Sequence, residues 1–134
     1  MKRRFLLCFL ILFGGFADVQ AQTLVLGNPS GAKTDVFGRA NNYLLVHSGF
    51  IMSYNRSRGA ANWVAWHLSA TDLGDIERAS GFRQDIALPA AWRIKDSDYD
   101  GVGFDRGHMC PSEDRSNTEE ANRETFIMSN AQPQ

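Results

Sequence analysis

Two apolar runs separated only by Ser48-Gly49 dominate the first half of the chain: Asn42 to His47, then Phe50 to Tyr54. So short a connection forces two extended segments to fold back antiparallel, because parallel neighbours need a crossover of about a dozen residues or more. A third extended segment follows from Asn62 to Leu68, with Val64, Trp66 and Leu68 on one face and Trp63, Ala65 and His67 on the other. The three predict an antiparallel meander in which the tryptophans are packing, with stacking on nucleic-acid bases as their rival role.

The chain opens with Lys2, Arg3 and Arg4, runs through apolar residues from Phe5 to Phe13, and reaches Val19-Gln20-Ala21. A basic start, a short apolar stretch and small residues at the end are the parts of a secretory signal. The apolar stretch falls short of the roughly 20 residues that span a bilayer. Residues 1–21 are therefore expected to be a signal peptide cleaved near Ala21, giving a secreted or periplasmic protein with no stable membrane association. The rest of the 134-residue chain, 22–134, is enough for one modest domain. The whole chain carries a net charge of −1, and loss of the basic leader makes it more acidic. No global basic field draws in nucleic acid, which disfavours a tight DNA-binding module and permits an enzyme that grips a polyanion at one local site. Of the 2 cysteines, Cys8 lies in the leader, so Cys110 has no partner for an intrachain disulfide and reads as a buried structural thiol.

Leu24-Val25-Leu26 reads as a short extended piece before the turn cluster Gly27 to Gly31. From Thr71 to Ser97, Gly74, Gly81 and Pro89 break any periodicity, which predicts loops carrying Arg78, Arg83 and Arg93 over the surface. Asp96 to Gly107 is a polar, glycine-rich loop, and Met109 to Ser112 reads as extended. Ser116 and Glu119 have the spacing of a capping box, so a short helix is expected to about Thr125, followed by Phe126 to Ser129 as a buried strand. The fold class is α+β: a mostly antiparallel sheet with short helices.

The densest polar cluster is Asp105-Arg106-Gly107-His108. Phosphodiester hydrolysis needs a base for water, a cation against the developing charge, and a group that orients the base. Histidine suits the first task because its ordinary pKa lies near neutrality. Arg106 and His108 share a face if the segment is extended, and Gly107 permits close backbone approach. By itself this cluster also fits a turn with charges on its rim. Asp96-Ser97-Asp98-Tyr99-Asp100-Gly101 copies the first half of a calcium-binding loop, but the twelfth position, which should be Glu, is Gly107. No Gly-x-Ser-x-Gly elbow supports a serine hydrolase. His47 and His67 read as satisfied core or surface residues, and the acidic group Glu113, Asp114, Glu119, Glu120 and Glu124 reads as a solvated surface and helix start.

Taken together, Asp98-Tyr99-x-Gly-x-Gly-Phe-Asp-Arg-Gly-His-Met-x-Pro-Ser-x-Asp-Arg, Thr125-Phe126-Ile127-Met128-Ser129-Asn130 and Pro133-Gln134 resemble the DNA/RNA non-specific endonucleases, the secreted ββα-metal (His-Me finger) nucleases. Leu24 to Ser30, Ser53-Tyr54-Asn55 and Asn62 to Leu68 are similar to bacterial members in the same order. The resemblance implies a metal-dependent endonuclease acting on DNA and RNA without regard to sequence, using Mg²⁺ with Mn²⁺ accepted. It implies that His108 is the general base, that Asp105 and Arg106 shape the site around it, and that Arg78, framed by Phe82 and Asp85, stabilises the phosphate, with Arg83 as a weaker match. It implies that Asn130 and Gln134 hold water around the metal, whose direct ligand is an Asn on a helix after Pro133-Gln134 and has no counterpart in this chain. The expectation is thus an incomplete nuclease domain over 22–134 with weak or absent activity, the alternative being a non-catalytic, truncated nuclease-like secreted protein that at most binds nucleic acid.

Overall fold

The computed structural model describes residue 20 and residues 22–134; the rest of the expected signal peptide lies outside the described residues. Strands β1 (Tyr43–Val46), β2 (Ile51–Asn55) and β3 (Ala60–Ala65) form an antiparallel sheet in that order. Leu45 faces Met52 across the first hairpin and Ser53 faces Trp63 across the second, with an irregularity between Ser53 and Tyr54. Alternation places Tyr43, Leu45, Met52, Tyr54 and Ala61 in the main core, against Leu88, Trp92, Cys110 and Ile127. Leu44 and Ile51 point the other way, into a smaller cluster with Ala32.

The tryptophans pack as expected. Trp63 lies against the small cluster and donates to Ser30 Oγ at 2.8 Å, and Trp66 lies against the main core and donates to Asp114 Oδ2 at 2.8 Å. The third strand starts earlier and stops earlier than its alternation suggested. It begins at Ala60, where Gly59 turns the chain at φ +64° with the Ile94 side chain filling the space a Cβ would need. It ends at Ala65, leaving Leu68 outside the sheet and half exposed.

Beyond the sheet the chain is mostly loop, punctuated by single 3-10 turns, as the breakers between Thr71 and Ser97 required. Helix α1 (Glu119–Thr125) is capped by Thr118, whose hydroxyl accepts from Ala121 N at 3.1 Å. Ser116, the expected cap, is turned elsewhere: its hydroxyl accepts from Gly74 N and donates to Glu113 O, tying the preceding loops together. Leu24-Val25-Leu26 is not extended but lies in a turn, with Leu24 N bonded to Gln20 O and Gly27 N to Leu24 O.

Phe126 to Asn130 is buried, as its apolar character demands, yet it is not a strand. Ile127 makes one parallel bridge to Arg83, and Met128–Asn130 coils into a 3-10 turn. Pairing resumes in β5 (Ala131–Pro133), which runs antiparallel to β4 (Arg106–His108) with His108 facing Ala131. The Asp-Arg-Gly-His cluster therefore enters a strand itself, rather than preceding one at Met109. Gln132 Nε2 donates to Ala61 O at 3.1 Å and ties this ribbon to the main sheet.

Asn130 closes the ribbon onto α1. Its wholly buried amide donates to Cys110 O at 3.0 Å and to Thr125 O at 2.9 Å, and its Oδ1 accepts from Cys110 N at 2.9 Å. Removing that side chain orphans three buried backbone groups at once, each costing about 1–3 kcal/mol. Asn130→Ala is therefore expected to lose at least ~3 kcal/mol of stability in urea unfolding. A loss below about 1 kcal/mol, the net worth of a single ordinary hydrogen bond, would remove Asn130 from this role.

Candidate active site

β4 alternates, so Arg106 and His108 leave it on one face while Gly107 is turned under. Gly107 has no room for a side chain: a Cβ there would collide with the amide end of Gln134, whose backbone pairs with Asp105 through N–H to carbonyl bonds in both directions (2.8 and 3.1 Å). Only glycine lets the last residue of the ribbon lie across the strand.

His108 is half-buried between two phenylalanines. Its ring centroid lies 4.8 Å from that of Phe82, tilted by 50°, and 4.5 Å from that of Phe126, nearly perpendicular at 79°. Nε2 is sealed off with no hydrogen-bond partner. Arg78 sits over the Phe126 ring, its guanidinium carbon 5.0 Å from the centroid, and its Nε donates to Ser112 Oγ at 3.2 Å. The two terminal nitrogens of Arg78 make no hydrogen bond among the described residues. Burial, with the Arg78 charge adding to it, holds the His108 pKa below its ordinary 6.5. The imidazole is therefore neutral at neutral pH, the form a base requires. Arg78 also lines an open depression of about 410 Å³ with Glu77, Ser80 and Arg123.

Other residues expected at the site are placed differently. Arg106 turns away from His108 into the Asp96–Asp100 loop: its Nη2 donates to Asp96 O at 2.6 Å and to Asp100 Oδ1 at 3.1 Å, and the guanidinium lies 5.4 Å from the Tyr99 ring centroid. Its Nε is 2.5 Å from Asp96 Oδ1 but makes no hydrogen bond, so that contact is an ion contact only. This answers the calcium-loop reading as well, since a guanidinium occupies the place between the carboxylates where a cation would go, and Asp98 is spent on Lys95 N at 2.8 Å. The Asp105 side chain is exposed and makes no hydrogen bond among the described residues; the residue contributes its backbone to the ribbon.

Asn130 has no exposed surface, and its amide is bonded to the backbone of Cys110 and Thr125, which leaves only the second lone pair of Oδ1 without a partner among the described residues. Gln134 is exposed, with its side chain laid against Gly107. Arg83 donates to Arg123 O at 2.7 Å and serves the helix end, not His108. Cys110 is fully buried and burial pushes its thiol up to about 12, so it is inert as a nucleophile.

The sequence reading missed a polar hub beneath the site. Asp85, almost wholly buried, accepts from Ser129 Oγ at 2.5 Å and Ala87 N at 2.9 Å, and its Oδ2 lies 3.0 Å from His47 Nε2. Burial pushes its carboxyl up, but the contacts with His47, Ser129 and Ala87 outweigh it and hold the pKa below the usual value. Glu124, expected to be solvated, accepts from Ser48 N, Ser48 Oγ and Gly49 N across the first hairpin turn. The only sequence signal for either was the position of Asp85 in the Phe82 frame.

An antiparallel sheet feeding a short ribbon that presents a histidine beside an arginine is an α+β arrangement. The chain belongs to the DNA/RNA non-specific endonuclease family, which matches residues 28–134. It is 52% identical over 112 residues to a nuclease of Nostoc sp. (strain PCC 7120 / SAG 25.82 / UTEX 2576), covering 83% of this chain and 40% of that protein. It is 38% identical over 122 residues to a nuclease of Syncephalastrum racemosum, covering 88% of this chain and 35% of that protein. A chain in the crystal structure of the EndoG/EndoGI complex superposes with a TM-score of 0.69 at 28% identity, over 85% of this chain and 44% of that one. The chain thus spans less than half the length of these relatives.

Because the Arg78 charge opposes a second positive charge on the imidazole, Arg78→Gln should raise the His108 pKa towards the ordinary value, whereas Arg83→Gln should leave it in place. An NMR titration of the His108 ring protons reads both. An unchanged midpoint in Arg78→Gln would show that the guanidinium does not act on the ring.

Proposed function

We propose that this chain carries the general-base half of a metal-dependent endonuclease that hydrolyses phosphodiester bonds in DNA and RNA without reading sequence. The observation that carries the reading is the state of His108: a ring kept neutral, one nitrogen enclosed, beside an arginine whose terminal nitrogens make no hydrogen bond among the described residues. With Nε2 enclosed, Nδ1 is the nitrogen left to meet water, and it takes the proton as the water oxygen attacks phosphorus. Arg78 offers its free N–H groups to the phosphate oxygens, whose charge builds during attack. These groups address the backbone and no base edge, which accounts for indifference to sequence.

The proposed ion is Mg²⁺, or Mn²⁺ in its place, and when bound it would stabilise charge on the phosphate. Among the described residues no group of three or more His, Cys, Asp or Glu is arranged to hold an ion. Asn130 and Gln134 are the residues proposed to hold water around it. The protein is proposed to act outside the cytoplasm, after removal of residues 1–21. No helix among the described residues is long and apolar enough to cross a membrane.

The test is degradation of plasmid DNA and of RNA by the purified chain with Mg²⁺. Slow cleavage of both is expected, abolished by EDTA and lowered about 10²-fold or more in His108→Ala, the usual worth of a general base. Cleavage by His108→Ala at the parental rate would overturn the assignment of the base. Binding of both polymers with no cleavage under any divalent ion would leave the non-catalytic reading in its place.

A further inference from the structure

A histidine base is commonly oriented by a hydrogen bond on its second nitrogen, from a carboxylate or a backbone carbonyl. His108 has no such partner among the described residues, its Nε2 being buried and unbonded. Rotation about the Cβ–ring bond is intrinsically broad, so without that bond something else must fix the plane of the imidazole. Two aromatic rings are placed to do so. Phe82 and Phe126 contact the imidazole at 4.8 and 4.5 Å, from different inclinations, and lie 5.3 Å from each other. A ring between two non-parallel walls cannot turn without moving one of them.

The walls are themselves anchored. Arg83, next to Phe82, donates its backbone N–H to Phe126 O at 3.0 Å and accepts from Met128 N at 2.9 Å, so the segments bearing the two rings are stitched together. Three residues beyond each ring, Asp85 and Ser129 are joined by a 2.5 Å bond, and Asp85 is also held by His47 and Ala87. Phe126 is 3% exposed and has no freedom to withdraw.

We propose that Phe82 and Phe126 are positioning residues that fix the His108 ring by packing alone, in place of the hydrogen-bonded partner that orients a base elsewhere. This deepens the general-base reading and rests on it. The perpendicular contact with Phe126 is the geometry in which the positive edge of one ring meets the negative face of another. If Nδ1 is the base, the neutral ring carries its proton on the enclosed Nε2 and leaves the Nδ1 lone pair for water. Each wall excludes one set of ring orientations, so shortening either loosens the base without touching substrate.

The test compares the whole chain with its Phe82→Leu, Phe126→Leu and Phe82→Tyr forms, each first checked for folding by its urea midpoint. Phe82 is only partly buried, so Phe82→Leu keeps the experiment open even where Phe126→Leu fails to fold. ¹⁵N NMR of the His108 ring, recorded without nucleic acid, should show a single conformer protonated at Nε2 in the parent and in Phe82→Tyr. Exchange-averaged signals are expected in the leucine forms. Turnover with Mg²⁺ should fall between about tenfold and a hundredfold in those forms, as small misplacements do, with KM held within about twofold. Parent-like ring signals and kcat in a folded leucine form would overturn the proposal, as would a parent ring that already averages. His108→Ala separates the two levels: unchanged cleavage there removes the general-base reading, whereas its loss alongside unimpaired leucine forms removes only the aromatic clamp.

Discussion

The site depends on one buried amide. Asn130 joins the exit of β4 at Cys110 to the end of α1 at Thr125, and so brings the residue after the helix, Phe126, against the residue on the strand, His108. Neither segment has enough regular structure to find this arrangement by itself: β4 and β5 are each three residues long and α1 only seven. A two-stranded ribbon is marginal in water unless it packs on something. Here it packs on β3 through Gln132 and is pinned by Asn130, and both links come from the segment that follows the helix.

That economy divides the Asp-Arg-Gly-His cluster among different tasks. Asp105 supplies backbone to the ribbon, Arg106 closes the acidic loop, Gly107 makes way for Gln134, and only His108 faces the aromatic pair. The Arg106 ion pairs are at the surface, where such contacts individually contribute only about 0–1 kcal/mol, so their value lies in fixing the course of the loop. Of the four, Gly107 is the one fixed by space, since Asp105 contributes backbone that another side chain would leave unchanged.

The meander was legible because alternation and a two-residue gap leave little choice, and the buried Cys110 because a lone thiol without a partner behaves as a small apolar group. His108 and Arg78 were legible through resemblance, since nothing in the spacing of Arg78 to His108 foretells that both lie against Phe126. Local rules failed where a residue had two possible employers. Ser116 fits a capping box, yet Gly74 N and Glu113 O claim its hydroxyl and Thr118 caps the helix instead. Glu124 looks like solvated helix surface, yet it receives the amides of a hairpin turn 75 and 76 residues upstream. Asn130 looks like a polar site residue, yet its amide is bonded to the backbone of Cys110 and Thr125. For Ser116 and Glu124 the deciding partner is distant in sequence, which periodicity cannot express.

The hub at Asp85 shows why these distant contacts matter to chemistry. A nearly buried carboxylate is costly unless its oxygens are satisfied, and here a histidine, a serine and a backbone amide meet that cost. In doing so they hold together the hairpin, the Phe82 segment and the Phe126 segment. His108 then lies half-buried between apolar walls, with the Asp85–Ser129 bond three residues beyond each wall. The arrangement trades basicity for readiness. A lowered pKa makes the imidazole a weaker base but keeps it unprotonated at neutral pH beside the Arg78 cation.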